Sequence, residues 1–122
     1  MPNTEPTTIG IVDDDYAVRE SLRFLLEVAG HIVEVFESAA HFLKSETNHL
    51  TRLILDHHMP GMAGLQLAER LRLDGSSIPI LLITASPSSD ILGRAAELGI
   101  SGVLEKPLNE TELLEFVNVH RS

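Results

Sequence analysis

Two kinds of apolar pattern alternate along the chain. Short runs rich in β-branched and aliphatic residues read as strands: "TIGIVDDD" (8–15), "HIVEVFE" (31–37), "RLILD" (52–56), "SIPILLITA" (77–85) and "SGVLEKP" (101–107). Between and after them, apolar residues recur at three- and four-residue spacing, which predicts helices. The first covers 16–30, with Val18, Leu22, Leu25, Leu26 and Ala29 on one face, Asp15 as a cap or first-turn acid and Gly30 as the stop. Ser38 is placed to cap a short second helix over 39–46. A third is expected over 61–75, with Met62, Leu65, Leu67 or Ala68, and Leu71 turned inward and "DG" closing it. Ser86 is the expected cap of a fourth, with Pro87 in its first turn and 88–99 following, weakened by Gly93. An Asn/Thr-plus-Glu signal opens a fifth over 109–121, ahead of Leu113, Leu114, Phe116 and Val117.

Strands alternating with helices in this way predict an α/β fold, a doubly wound five-stranded parallel sheet flanked by five helices. The fourth strand is apolar at nearly every position, as expected of a central strand covered on both faces. In such sheets ligands gather at the carboxyl ends of the strands, near the point where strand order reverses. The residues that fall there are Asp13 and Asp14 after the first strand, Asp56 after the third, Thr84 after the fourth and Lys106 after the fifth. Three carboxylates brought together repel one another unless a hard cation sits among them. Mg²⁺ suits such a place, because it takes few protein carboxylates, keeps several waters and coordinates phosphate oxygens. Lys106 adds a point positive charge and Thr84 a hydroxyl donor, both suited to the oxygens of a transferring phosphoryl group.

Composition narrows the alternatives. With 122 residues and 43% hydrophobic content, the chain suits one domain over 1–122, with a folded core over 8–121. No apolar run approaches the roughly 20 residues of a membrane span, and the start "MPNTEPTT" lacks the pattern of a secretory signal, so a cytoplasmic location without membrane association is expected. The absence of cysteine excludes disulfides, thiol catalysis and thiolate metal sites. A formal charge of −9 argues against direct nucleic-acid binding by this domain.

The blocks "IVDDD", "LILDHHMPGMAG", "LLITAS" and "EKPL" together resemble the receiver domain of two-component response regulators, in that family's order and spacing and over essentially the whole chain. "HHMPGMAG" followed by a Leu-rich helix looks most like the FixJ-like branch. The resemblance implies a flavodoxin-like receiver fold in which Asp56 accepts a phosphoryl group from a sensor histidine kinase. It further implies that Asp13, Asp14, Asp56 and the backbone carbonyl of His58 hold Mg²⁺, that Thr84 is the switch hydroxyl, and that Lys106 pairs with the phosphoryl group. The surface of the last two helices and last strand, roughly 86–120, would carry the change to an effector domain, an output protein or a second copy of the chain. Two positions depart from the family pattern: Val103 stands where Tyr or Phe is usual three residues before the lysine, and Leu108 where Phe often follows the proline.

Other readings compete. "IVDDD" also contains the Asp13-x-Asp15 pattern of haloacid-dehalogenase-like phosphatases, with Asp13 as nucleophile and Asp15 as acid/base. The chain is short for that fold with any cap, Ala17 replaces the usual Thr or Val, and no late acidic pair is evident. A receiver that only docks, without phosphorylation, is a third reading. The expectation is therefore a signalling domain rather than a turnover enzyme, limited to phosphotransfer onto itself and its own dephosphorylation. His57 and His58 beside Asp56 suggest zinc, but adjacent side chains diverge and no third ligand lies nearby at helical spacing. The His58 side chain is expected near the phosphorylation site, while His31, His41, His49 and His120 read as surface or loop residues.

Overall fold

In the computed structural model, which describes residues 7–119, the alternating strands and helices all form. They run β1 (Thr8–Val12), α1 (Tyr16–Val28), β2 (Ile32–Phe36), α2 (Ala39–Leu43), β3 (Arg52–Asp56), α3 (Gly64–Leu73), β4 (Ile80–Thr84), α4 (Ser89–Glu97), β5 (Gly102–Glu105) and α5 (Glu110–Val119). All neighbouring strands pair in parallel, in the order β2-β1-β3-β4-β5. The chain steps outward from β1 to β2, then crosses back to β3 on the other side, so strand order reverses between β1 and β3.

β3 and β4 are buried at every position, which explains their uninterrupted apolar sequences. Successive side chains leave opposite faces of the sheet. Val12, Leu53, Leu55, Ile80 and Leu82 pack with Phe42, Leu67 and Ala68 beneath α2 and α3. Ile9, Ile11, Ile54, Leu81 and Ile83 pack with Leu22, Leu26, Leu113, Phe116 and Val117 beneath α1 and α5. Val103 is half-buried and packs against the first of these clusters.

Side chains tie α4 to α3 at one end. Arg72 on α3 donates to the carbonyls of Leu98 (2.7 Å), Ile78 (2.9 Å) and Ser76 (3.2 Å), satisfying carbonyls at the C-terminus of α4 and in the turn before β4. Arg94 on α4 pairs with Glu69 on α3 and with Glu97 one turn on.

Several boundaries differ from the expectation. α3 starts at Gly64, not at 61, because Gly61 sits at φ +85, outside right-handed helical space. The Gln66 side chain accepts the Ala63 N–H (2.9 Å), so Met62 belongs to the preceding loop. The cap of α4 is Ser88, whose Oγ accepts the Ile91 N–H at 3.2 Å, and not Ser86. The Ser86 N–H is donated to Thr84 Oγ1 (3.2 Å), which leaves Ser86 and Pro87 ahead of the helix. Asp15 and Ser38 cap α1 and α2 as expected, and Gly30 (φ +99) follows α1. His31, expected at the surface, is buried in the turn from α1 into β2, where its N–H is held by the Leu26 carbonyl. His41 and His49 are exposed; His120 and the end of the expected core at 121 lie outside the described residues.

Candidate functional site

Reversal of strand order places the ends of β1 and β3 side by side, and with them Asp13 and Asp56. Both carboxylates are buried, Asp13 at 0% and Asp56 at 1% exposure, while Asp14 is exposed. One ligating oxygen from each of Asp13, Asp14 and Asp56 lies within 4.8 Å of the others. Lys106, arriving from the end of β5, puts its ammonium 3.0 Å from Asp56 Oδ1 and 3.6 Å from Asp13 Oδ2. Neither of these two buried oxygens has a hydrogen bond of good geometry.

Local backbone geometry fixes the acids. Asp13 Oδ1 accepts the Asp15 N–H (2.9 Å), and the Asp13 carbonyl accepts from the Arg19 guanidinium (2.8 Å). Asp15 is spent differently: its Oδ1 caps α1 by accepting the N–H groups of Ala17 (2.9 Å) and Val18 (3.2 Å). The acid/base role that a phosphatase reading assigns to Asp15 therefore has a structural competitor, and the three clustered acids are a different set. Beyond Asp56 the chain turns tightly. The Gly64 N–H donates to the His57 carbonyl (3.2 Å), and a Cβ at Gly64 would lie 2.5 Å from the Asp56 carbonyl oxygen, so only glycine permits this approach.

Charge and burial act against each other at this edge. Burial pushes the Asp13 carboxyl up from 3.8 to about 6; the Asp15 N–H and Lys106 oppose this, and the charges of Asp56 and Asp14 reinforce it. Burial also disfavours the Lys106 ammonium, but its close pairing with Asp56 and Asp13 outweighs that and holds its pKa above the usual lysine value. His57 is held below the usual histidine value, first by burial and then by His58. Two buried carboxylate oxygens without hydrogen bonds, beside a third acid, with a single ammonium against them, form an oxygen-rich, electron-rich place that fits a small hard cation.

Thr84 is fully buried at the end of β4. Its hydroxyl meets His58 Nε2 at 2.9 Å as well as accepting from Ser86. The two adjacent histidine rings lie edge to face, 5.0 Å apart. Among the described residues the only grouping of potential metal ligands is the acidic one, which gives the zinc reading of the histidines no support.

Comparison with known proteins agrees with this geometry. The profile of the response regulator receiver domain matches residues 9–118. This chain belongs to the response regulator receiver family. The transcriptional regulatory protein FixJ of Azorhizobium caulinodans is 36% identical over 119 residues, which cover 96% of this chain and 55% of that protein. The response regulator protein TodT of Pseudomonas putida is 38% identical over 109 residues, covering 88% of this chain and 48% of TodT. This receiver domain thus spans about half the length of the curated relatives it matches. Among solved structures, FixJ-N superposes with a TM-score of 0.83 at 31% identity, covering 93% of this chain and 92% of that one. Vibrio cholerae chemotaxis protein CheY4 superposes with a TM-score of 0.85 at 25% identity, covering 94% and 98%.

The receiver's predicted site residues Asp13, Asp14, Asp56 and Lys106 converge, and Thr84 lies on the strand between Asp56 and Lys106. Sequence reasoning missed the His58 to Thr84 bond, whose partners are 26 residues apart, and the contact of Gly64 with the Asp56 carbonyl. The second had a visible signal, a glycine within a predicted helix where most residues are more favourable.

Proposed function

We propose that this receiver is a phosphorylation-activated switch in which Asp56 accepts a phosphoryl group from a histidine of a sensor kinase in a Mg²⁺-dependent reaction. The observation that carries this reading is the ammonium of Lys106 at 3.0 Å from the otherwise unsatisfied Asp56 Oδ1, beside two further acids. Asp13, Asp14 and Asp56 would hold the cation, with the His58 backbone carbonyl as the remaining protein ligand. When bound, the cation supplies positive charge that offsets the carboxylates and the phosphoryl oxygens.

In the transfer, an Asp56 carboxylate oxygen attacks phosphorus and forms an O–P bond. The P–N bond to the donor imidazole breaks, and the imidazole nitrogen keeps the electron pair and takes up a proton. Lys106 exchanges part of its pairing with Asp56 for a phosphoryl oxygen, and the Thr84 hydroxyl donates to another. Asp56 thereby exchanges a single charge for a group of higher charge with more acceptor oxygens. That difference biases the surface of α4, β5 and α5 towards an effector domain, an output protein or a second copy of the chain.

Intact mass after incubation with acetyl phosphate tests the chemistry. The expected result is one added phosphoryl group that requires Mg²⁺ and is absent from Asp56→Asn. A folded chain that gains none, and that also fails to bind beryllofluoride, refutes the proposal in favour of a receiver that only docks. Turnover of small phosphate esters that depends on Asp13 would refute it in favour of a phosphatase.

A further inference from the structure

The Thr84 hydroxyl is fully buried and makes two hydrogen bonds in this state: it accepts from the Ser86 N–H at 3.2 Å and meets His58 Nε2 at 2.9 Å. A hydroxyl has one donor and two acceptor positions. If the imidazole carries its proton on Nδ1, Nε2 accepts the hydroxyl proton, the one proton Thr84 could offer a phosphoryl oxygen. If the proton is on Nε2, His58 and Ser86 fill both acceptor positions and fix the rotamer. In either tautomer, a rotation of the Thr84 side chain that carries Oγ1 off the ring breaks its bond to His58.

From this geometry we infer that His58 is a positioning residue, a side-chain latch that holds Thr84 in the inactive rotamer and sets the threshold for switching. The inference rests on Asp56 being the phosphoryl acceptor. His58 is placed for such a role: it lies two residues after Asp56 on the same loop, and its ring reaches the end of β4 while the residue as a whole stays exposed. The side chain is therefore replaceable without opening the core, unlike Thr84 itself. Its action is distinct from that of the His58 backbone, which any residue at this position retains.

The test is a titration with beryllofluoride at saturating Mg²⁺, followed by amide NMR shifts, on the wild-type chain, His58→Ala, His58→Gln, Thr84→Val and the two double variants. Removing one neutral hydrogen bond that competes with activation is expected to tighten beryllofluoride binding about three- to tenfold in His58→Ala. Glutamine, whose amide reaches the same distance and can donate or accept, is expected to return the affinity to within about twofold of wild type. In the Thr84→Val background the effect of His58→Ala should shrink to less than about 1.5-fold, since the coupled group is gone.

A second readout needs no phosphoryl analogue. Three-bond couplings to the Thr84 methyl should show one rotamer in the wild type and His58→Gln, and averaging in His58→Ala. Unchanged or weaker beryllofluoride binding in His58→Ala overturns the latch. So does a change of equal size in the Thr84→Val background. A wild-type chain that binds no beryllofluoride overturns the Asp56 reading itself, whatever the rotamer of Thr84 does.

Discussion

Replacing Asp13 with asparagine should make the metal-free receiver more stable, although it deletes an ion pair. Asp13 is fully buried, and its carboxyl titrates at about 6 instead of 3.8, chiefly because ionising it inside the fold forfeits hydration. At 1.36 kcal/mol per pKa unit, that rise corresponds to about 3 kcal/mol lost when the buried group is ionised. The sign follows from proton binding: between 3.8 and about 6 the folded chain holds more protons on Asp13 than the unfolded chain does, so its contribution to stability falls as pH rises through that window. Below 3.8 the penalty is absent; above about 6 it is complete. Asparagine never ionises, and its Oδ1 can still accept the Asp15 N–H. What it gives up is the 3.6 Å approach of Lys106 to Oδ2, which has no hydrogen-bond geometry.

Urea unfolding in EDTA should therefore show Asp13→Asn more stable than wild type by about 1 to 3 kcal/mol at pH 7.5, with the gap closing towards pH 4. Mg²⁺ should act in the opposite direction. A ligand at 100 times its Kd stabilises the form that binds it by about 2.7 kcal/mol, so the wild type should recover and the variant should gain far less. A less stable variant at pH 7.5 without metal, or a difference that does not change with pH, would refute the assignment of burial as the dominant effect at Asp13.

Gly64→Ala should cost about 1–3 kcal/mol in urea unfolding, since the new Cβ would fall 2.5 Å from the Asp56 carbonyl oxygen and the junction of β3 with α3 must shift. Because that junction carries Asp56, beryllofluoride affinity should fall with it, whereas unchanged stability and affinity would show that the loop yields freely. Arg72→Ala should destabilise the domain by about 1–3 kcal/mol by leaving the Leu98 and Ile78 carbonyls short of partners, and hydrogen exchange should speed up most in the last turn of α4. Exchange that rises uniformly over the sheet instead would rule out a local tie.

What could be read from the sequence was whatever depends on local periodicity. The apolar runs at 53–55 and 80–83 declared central strands, and once the sheet was parallel the polar residues ending each run had to meet at one edge. The boundaries that were misplaced are those set by contacts beyond the local window. Ser86 looks like a cap because it precedes proline, but its N–H is taken by a hydroxyl at the end of β4, and the helix waits for Ser88. Residues 61–63 fit the helical spacing, yet Gly61 sits at positive φ and α3 starts only at Gly64, against the Asp56 carbonyl. His31 reads as polar and peripheral, but the turn after Gly30 carries it inside. The His58 to Thr84 bond has no sequence signature, since it depends on how the loop after β3 settles beside the end of β4.

These non-local contacts are also where the proposed switch acts. Asp56 and Thr84 end the two strands that are buried at every position, so the carboxylate and the hydroxyl begin from closely packed positions. Thr84 is tied on one side to His58 and on the other to the Ser86 N–H, the first residues of the path into α4. If the hydroxyl turns to a phosphoryl group on Asp56, the Ser86 N–H loses its acceptor and residues 86–88 must find another arrangement. At its far end α4 is held by Arg72 on the Leu98 carbonyl and by Arg94 on Glu69, so the displacement is confined to the N-terminal end of the helix. On this account α4 tilts about a fixed C-terminus. Arg72→Ala should accordingly spread the beryllofluoride-induced NMR shifts along the whole of α4, while in the wild type they fade before Leu98. Shifts that reach Leu98 equally in both proteins would refute the pivot and leave the direct bonds of Thr84 as the whole of the coupling.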